Sequence, residues 1–437
     1  MPRFSTHVAW TFGTRVLMLL SGVGASVIVA RWLGAEGLGA LAVLNVTVAV
    51  ALQLGSAGLP SANTYFIARD RSSIASVCAN ALAFALLAGG ALALVVIASA
   101  KFYPALYGNI PVGLLTIAAA SIPFQLITLL GLNVFLGLHR IVHFNLLDAA
   151  AQSLLLVNAL VALVLFGAGL RTLVSLNTTA SVLVGLLIVC LIARLLKELG
   201  GGRFRVDLEL FKRMARYGIK FHIAVVAAML IFRADLLIVN HFRGAKEAGV
   251  YSVASQVATM LMLLPGVIGT LLLPRVASTQ DARGEMTMRV TRHTAFVMFF
   301  ICLAAVPASF ALPLVYGAPF ADASWQLLIL LPGIYLVGIE SVLVQHFSSL
   351  GLPVAIPIFW LITLGINVAL NLAFVPAFGA RAAAAASSVS YALIFVLVTS
   401  YFRAKTGNKL STTLLLRASE LRELLMTART RGRLASR

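Results

Sequence analysis

Ionisable side chains are rare within the long apolar stretches of this sequence, so each of them marks a position where chemistry is concentrated. Arg15, Arg233, Asp235, Glu340 and His346 stand inside such stretches. Burying a charge among apolar groups is costly unless the charge is paired. A residue of this kind is therefore expected either to bind a charged ligand or to pair with another buried group.

The residue types indicate which ligands these positions suit. Guanidinium groups present fixed bidentate donors that match phosphate, so Arg15 and Arg233 are candidate substrate-binding residues for a phosphate-bearing compound. Asp235 and Glu340 are candidates for holding a coupling ion or a counter-charge. Under the alternative interpretation, Arg15 extends to the aqueous surface. Arg233 and Asp235, two apart and pointing in different directions, then each pair with another helix.

Other polar residues in these stretches allow two interpretations. Asn367 and Asn371 are four apart and share one helix face, where they either line a cavity or hydrogen-bond a neighbouring helix. His346 and Asp148 lie near the ends of their stretches. We interpret His346 as a polar cap of its helix rather than as a proton relay.

Enzyme motifs are absent from the sequence, which contains no GxSxG, HExxH, Walker loop or CxxC. The three cysteines, Cys78, Cys190 and Cys302, are isolated within apolar stretches and are expected to pack as small hydrophobic residues. We therefore predict that the protein is not an enzyme and has no catalytic residue, metal site or cofactor. Without an ATP-binding motif, active transport would have to draw on an ion gradient, the membrane potential or the substrate gradient.

The elements that position these residues are transmembrane helices. Hydrophobic residues make up 61% of the 437 residues and charged residues only 11%, against about 25% charged in soluble domains. A span needs about 20 apolar residues, and windows of that size predict an all-α polytopic membrane protein. The predicted spans are 10–30, 38–58, 76–99, 112–136, 144–167, 173–196, 218–240, 249–272, 294–315, 324–347, 354–376 and 382–402.

The basic residues predict the orientation of these spans. With both termini on one side, that side holds 25 of the 33 Lys and Arg residues, the other side holds 6, and Arg15 and Arg233 lie within spans. The positive-inside rule then places both termini in the cytoplasm. Because the basic residues follow the ends of apolar runs, the net charge of +19 indicates orientation rather than binding of nucleic acid.

The chain divides near its middle. The predicted parts are an N-terminal six-helix lobe at 1–200, a basic cytoplasmic linker at 201–217, a C-terminal six-helix lobe at 218–403 and a basic cytoplasmic tail at 404–437. The segment from Gly34 to Gly39 (GAEGLG) is echoed by Gly244 to Gly249 (GAKEAG) at an offset of 210 residues. This echo arises either from a parallel repeat or by chance, and parallel repeats place the substrate between the two lobes.

Five segments along the whole chain carry a family resemblance: ARWLGAEGLGALAV (30–43), GSAGLPSANTYFIAR (55–69), RADLLIVNHFRGAKEAGVYSVAS (233–255), LPLVYGAPFADASWQLLIL (312–330) and NVALNLAFVPAFGARAAAAASSVS (367–390). In order and spacing they resemble the polysaccharide biosynthesis transport family. This is the O-antigen flippase (Wzx-like) branch of the multidrug/oligosaccharidyl-lipid/polysaccharide exporter superfamily.

The resemblance implies two six-helix bundles around a central cavity in the bacterial inner membrane. It further implies that isoprenoid diphosphate-linked oligosaccharide is moved from the cytoplasmic to the periplasmic leaflet, with glycan polymerase and assembly proteins as candidate partners. Arg15, Arg233 and Asp235 occupy the kinds of place where that family carries cavity charges. Two alternatives stay open. One is a cation-coupled antiporter of the multidrug and toxin extrusion type using Asp235 and Glu340, and the other is a non-transporting membrane scaffold for glycan assembly.

Overall fold

The computed structural model describes residues 2–200, 204–279, 281, 284–349, 351–408, 412, 414 and 420. Residues 201–203 of the predicted linker lie outside the described residues, and so does most of the predicted tail. The basic cytoplasmic tail at 404–437 therefore remains a prediction.

All regular structure within this described part of the chain is helical. The longer helices are α1 Pro2–Ser56, α2 Leu59–Arg69, α3 Ile74–Phe102, α4 Val112–Ala119, α5 Ile122–Gly137, α6 Ile141–Ala159, α7 Leu170–Glu198, α8 Leu208–Leu261, α9 Leu263–Thr279, α10 Glu285–Ser309, α11 Leu312–Tyr316, α12 Ala321–Ser349, α13 Ala355–Phe378 and α14 Ala380–Thr406. Short 3₁₀ turns lie at Arg71–Ser73, Pro104–Tyr107 and Ala318–Phe320, and a π-helical turn at Leu160–Leu165 continues α6.

Nine helical stretches of the described chain are long and apolar enough to cross a membrane, and three of them contain two crossings each. These three have 47, 48 and 52 residues, whereas one crossing needs about 20. Each is interrupted by a glycine with positive φ, namely Gly34, Gly244 and Gly379. Nine stretches with three divided ones make twelve spans, which confirms the predicted fold class.

The backbone at these three positions is open only to glycine. Gly34 has φ 68° and ψ −171°, Gly244 has φ 83° and ψ 171°, and Gly379 has φ 66° and ψ −152°. This region of φ and ψ is almost never occupied by residues with a Cβ. Gly34 and Gly244 are the first residues of the two echoed segments, so both segments start with the same kink.

Helices α1 and α8 form the main junction between the first and second halves of the chain. Around it, α3 packs on α5, α5 on α7 and α1 on α6, while α12 packs on α14 and α10, and α13 on α8. The largest buried hydrophobic cluster draws residues from both halves. The lobe boundaries at 1–200 and 218–403 remain a prediction, although α7 ends at Glu198 and α8 begins at Leu208.

The two halves meet at both ends of the α1–α8 junction. At the end that holds Gly34, called the Gly34 end, Arg31 donates hydrogen bonds to the carbonyls of Val315, at 2.8 Å, and Leu314. At the opposite end, called the linker end, a Cβ placed on Gly58 would lie 2.3 Å from the carbonyl oxygen of Gly218. Direct backbone contact of this kind is available only where neither residue has a side chain.

Candidate functional site

A polar cavity lies inside the first half of the protein. It has a volume of about 410 Å³ and is enclosed by the second part of α1 together with α4, α5, α6 and α7. Its polar lining residues are Asn45, Ser121, Gln125, Thr128, Asp148, Gln152, Asn158, Asn177, Thr178 and Ser181. Polar groups concentrated between otherwise apolar membrane helices indicate a site for a polar ligand or for water.

Helical spacing brings these side chains to one cavity. Ser121 and Gln125 are four apart on one face, and Gln125 Nε2 donates to Ser121 Oγ at 2.8 Å. Asp148 and Gln152 show the same spacing on α6, as residues four apart on a helix are neighbours. The side chains of α5 and α6 therefore present two polar rows to the cavity.

Helix α7 is joined to α6 at the cavity by a hydrogen bond between two asparagine side chains. Asn158 Nδ2 donates to Asn177 Oδ1 at 2.9 Å, and Ser181 Oγ donates to the Asn177 carbonyl at 2.9 Å. The next residue of α7, Thr178, donates through Oγ1 to the Ile117 carbonyl of α4 at 3.1 Å. The bonds of Asn177 and Thr178 fix α7 against α6 and α4, whereas the Ser181 bond lies within α7.

Arg15 lies at the border of this cavity. Its Nη1 is 3.4 Å from Asp148 Oδ2, and the two side chains are 42% and 19% exposed. Asn145 Nδ2 donates to Thr11 Oγ1 at 2.8 Å one turn before this pair, and Ser21 Oγ lies 3.2 Å from Ser153 Oγ after it. A row of polar contacts thus joins α1 to α6 and places the Arg15 guanidinium next to the Asp148 carboxylate.

Asp235 forms a separate polar node in the second half. It is 1% exposed and accepts hydrogen bonds from Leu236 N at 2.8 Å, from the Tyr251 hydroxyl and from Ser387 Oγ at 2.9 Å. The node joins the two parts of α8 to α14. A buried carboxylate with three donors holds three segments together.

Arg233 lies beside that node but outside its hydrogen bonds. It is exposed, whereas Asp235, two residues later, is buried, as expected for a helix. Within the described residues the Arg233 guanidinium makes no hydrogen bond and no ion pair. Its donors are therefore available to a ligand.

Glu340 and His346 lie within α12 and are both 1% exposed. Glu340 Oε1 is buried without a hydrogen-bond partner among the described groups. His346 Nδ1 lies 2.9 Å from Thr287 Oγ1 of α10, and which of the two donates depends on the histidine tautomer. Glu340 is thus a buried carboxyl group with spare acceptor capacity.

Asn367 and Asn371 are fully buried between α13 and α14. Asn367 Nδ2 donates to Ser390 Oγ at 3.1 Å, and Asn371 Nδ2 donates to the Asn367 carbonyl at 2.8 Å. The structure thus distributes the six predicted site residues. Arg15 lies at the polar cavity, Asp235 in the node, Arg233 beside it with free donors, Glu340 in α12, and the two asparagines in a helix contact.

The polar cavity itself was not predicted. In the sequence the charged side chain of Asp148 stands out within an apolar stretch, whereas the neutral polar residues that surround it in the fold do not. The available signal was the pairing of polar side chains four apart in three successive spans, as in Ser121 with Gln125, and Asp148 with Gln152. Such pairs mark a shared polar face within a helix that is otherwise apolar.

The fold is similar to those of solved transporters. The structure entitled "Lipid II flippase MurJ, inward closed conformation" matches with a TM-score of 0.76 at 14% identity, covering 91% of this chain and 87% of that one. An inward-facing multidrug resistance MATE family transporter of the MOP superfamily matches with a TM-score of 0.73 at 14% identity, covering 89% and 94%. At this level of identity the likeness establishes the fold.

A third match is a MOP superfamily transporter from Pyrococcus furiosus, with a TM-score of 0.65 at 13% identity, covering 92% of this chain and 94% of that one. Among proteins with curated descriptions, none matches this chain in sequence. The family model described as "Polysaccharide biosynthesis protein" matches residues 6–280, which is more than half of the chain. This multi-pass membrane protein, with the fold of MOP superfamily transporters, belongs to the polysaccharide biosynthesis protein family.

Proposed function

We propose that the protein is a flippase that moves isoprenoid diphosphate-linked oligosaccharide from the cytoplasmic to the periplasmic leaflet of a bacterial inner membrane. The observation that carries this proposal is the polar cavity, whose lining includes nine residues with neutral amide or hydroxyl groups and, within the described part of the chain, one ionisable residue, Asp148. Amides and hydroxyls both donate and accept hydrogen bonds, as sugar hydroxyls require. The family membership supports the same class of substrate.

In this proposal the two arginines bind the charged part of the substrate. Arg15, at the border of the cavity, and Arg233, whose donors are free among the described groups, bind the diphosphate as cationic ligands. The sugar chain crosses through the polar cavity while the isoprenoid tail stays in the lipid. Alternating access through rocking of the two halves then carries the headgroup across.

The distribution of basic residues supports the direction of transport. With 25 of 33 Lys and Arg on one side, both termini and the linker end face the cytoplasm. Moving an anion out of a negatively charged cytoplasm is favourable by about 2.3 kcal/mol per charge per 100 mV. A diphosphate headgroup is therefore driven outward by the membrane potential without ATP.

A cation-coupled antiporter is the second candidate function, and Glu340 is the observation that favours it. The Oε1 atom of this carboxylate is buried without a hydrogen-bond partner in the described part of the chain, so it has room to bind a proton or a cation. Against this candidate, Asp148 is already paired with Arg15. Asp235 is likewise held by three hydrogen bonds.

The test uses the purified protein in liposomes containing isoprenoid diphosphate-linked oligosaccharide. Flipping is measured by the access of an added glycosidase to the sugar, with and without an imposed potential. We expect transport that accelerates when the substrate-loading side is negative and that is lost in Arg233→Ala. Proton-coupled uptake of cationic compounds without flipping would favour the antiporter. If neither activity is observed, the result would favour the non-transporting membrane scaffold for glycan assembly.

A further inference from the structure

A second pocket lies at the linker end, and its charged residues lie outside the membrane-spanning stretches. It has a volume of about 640 Å³. One wall is formed by the end of α2 and the start of α3, and the other by the first turns of α8. The pocket therefore spans the first half of the protein and the helix that begins the second half.

Three arginines line this pocket. Arg69 comes from α2, and Arg213 and Arg216 come from α8, where their spacing of three places them on one helix face. Arg69 donates to the Tyr65 hydroxyl at 3.1 Å. Within the described residues, Arg213 and Arg216 have no hydrogen bond and no ion pair, so their guanidinium donors are available.

The two carboxylates of the pocket do not neutralise these arginines by pairing. Asp70 accepts hydrogen bonds from Ser72 N at 2.9 Å and Ser72 Oγ at 2.7 Å, and the hydrogen bond from the Ser72 side chain is the main cause of the lowered pKa of Asp70. Asp207 caps α8 by accepting from Leu210 N at 2.9 Å. The pocket keeps an excess of positive charge.

The walls of the pocket are held in place before any ligand arrives. Tyr65 and Tyr217 stack across it with ring centroids 4.4 Å apart and an interplanar angle of 15°. Asn80 ties α3 to the start of α8, because its Nδ2 donates to the Asp207 carbonyl at 2.9 Å and its Oδ1 accepts from Asp207 N at 2.9 Å. A preformed site loses less free energy to ordering when it binds.

We propose that this linker-end pocket binds a phosphate-bearing ligand, held by Arg69, Arg213 and Arg216. Guanidinium groups bind phosphate through paired hydrogen bonds, and three of them from two walls can surround one phosphate or a diphosphate. The ligand ties the start of α8 to the first half beside the Gly58–Gly218 contact. Because α8 continues into the seventh span, occupancy favours the arrangement in which this end of the two halves stays together.

The test measures binding to the full-length protein in detergent by titration calorimetry, with inorganic pyrophosphate as the probe. The pocket variant is R213Q/R216Q. The matched control is R205Q/K212Q, which removes two positive charges from the same segment at residues that do not line the pocket. We expect the Kd to rise by about tenfold or more in the pocket variant, which corresponds to about 1.4 kcal/mol, because two of the three guanidinium groups that would hold the phosphate are removed. The control should stay within about twofold of wild type.

A second arm distinguishes the source of the phosphate. Nanodiscs of phosphatidylglycerol and of phosphatidylcholine are compared for their effect on the thermal midpoint of wild type and of both variants. If the pocket variant, unlike the control, loses pyrophosphate binding but keeps its stabilisation by phosphatidylglycerol, the ligand is a soluble phosphate compound. If it loses the stabilisation by phosphatidylglycerol but keeps pyrophosphate binding, the ligand is a lipid headgroup. If neither probe separates the pocket variant from the control, the proposal is overturned, whether or not the protein transports a glycan.

Discussion

Gly39 and Gly249 face each other's helices where α1 crosses α8. A Cβ on Gly39 would lie 1.7 Å from the carbonyl oxygen of Ala245, and a Cβ on Gly249 would lie 1.9 Å from that of Ala35. Ala245 and Gly249 follow Ala35 and Gly39 by the same 210 residues. The two echoed segments thus contact each other reciprocally, as a two-fold relation between the halves requires, which favours a repeat over chance.

Gly249→Ala is expected to destabilise the protein. The new Cβ would overlap the Ala35 carbonyl, so one helix backbone has to move, at about 1–3 kcal/mol for overpacking of this kind. Thermal unfolding in detergent should show a lower midpoint. Gly365→Ala in α13 is the control, because a Cβ there meets no described atom within 4 Å, and an equal midpoint in the two variants would refute the close crossing.

Asp235→Ala is expected to lower stability by removing the acceptor of the polar node. The Tyr251 and Ser387 hydroxyls would lose the carboxylate to which they donate, and each unsatisfied buried group costs about 1–3 kcal/mol. Ser387→Ala removes one donor and should cost less. A thermal midpoint of Asp235→Ala no lower than that of Ser387→Ala would contradict the role of the node.

Ala180→Phe is expected to block transport by filling the polar cavity. Ala180 lines the cavity, whereas Leu183 on the same helix is 61% exposed, so Leu183→Phe is the matched control. We expect flipping in liposomes to fall by roughly tenfold, which corresponds to about 1.4 kcal/mol, in the first variant only. Equal rates in both variants would mean that the substrate does not use this cavity.

Arg15 and Asp148 should show energetic coupling. Arg15→Gln and Asp148→Asn each break the pair, which lies 3.4 Å apart and is partly exposed, so we expect a coupling free energy of about 0.5–1 kcal/mol in a double-mutant cycle of unfolding. Strictly additive effects would show that the two charges act independently.

The helices could be predicted from the sequence because the membrane imposes their length. A run of about 20 apolar residues bounded by basic or glycine-rich turns has no other stable conformation in lipid. The shared kink at Gly34 and Gly244 was signalled by the echo of the two segments. The kink at Gly379, between α13 and α14, could not be predicted in this way, because the echoed segment does not recur there.

The contacts of the candidate site depend on packing between distant parts of the chain. Arg15 and Asp148 are 133 positions apart in the sequence, and nothing in either span identifies the partner. The neutral residues of the polar cavity were missed because an isolated Gln or Asn in a span is as consistent with a helix contact as with a cavity. Asn367, predicted for either role, donates to Ser390 of α14.

Translocation of a lipid-linked glycan by this protein is tested by deleting its gene and analysing both the lipid-linked glycan pool and the surface polysaccharide. Complementation with wild type and with Arg233→Ala then tests the proposed substrate contact. We predict that isoprenoid diphosphate-linked oligosaccharide accumulates on the cytoplasmic leaflet with loss of surface glycan, and that only the wild type restores it. An unchanged glycan pool together with new sensitivity to cationic compounds would contradict the flippase and support the antiporter.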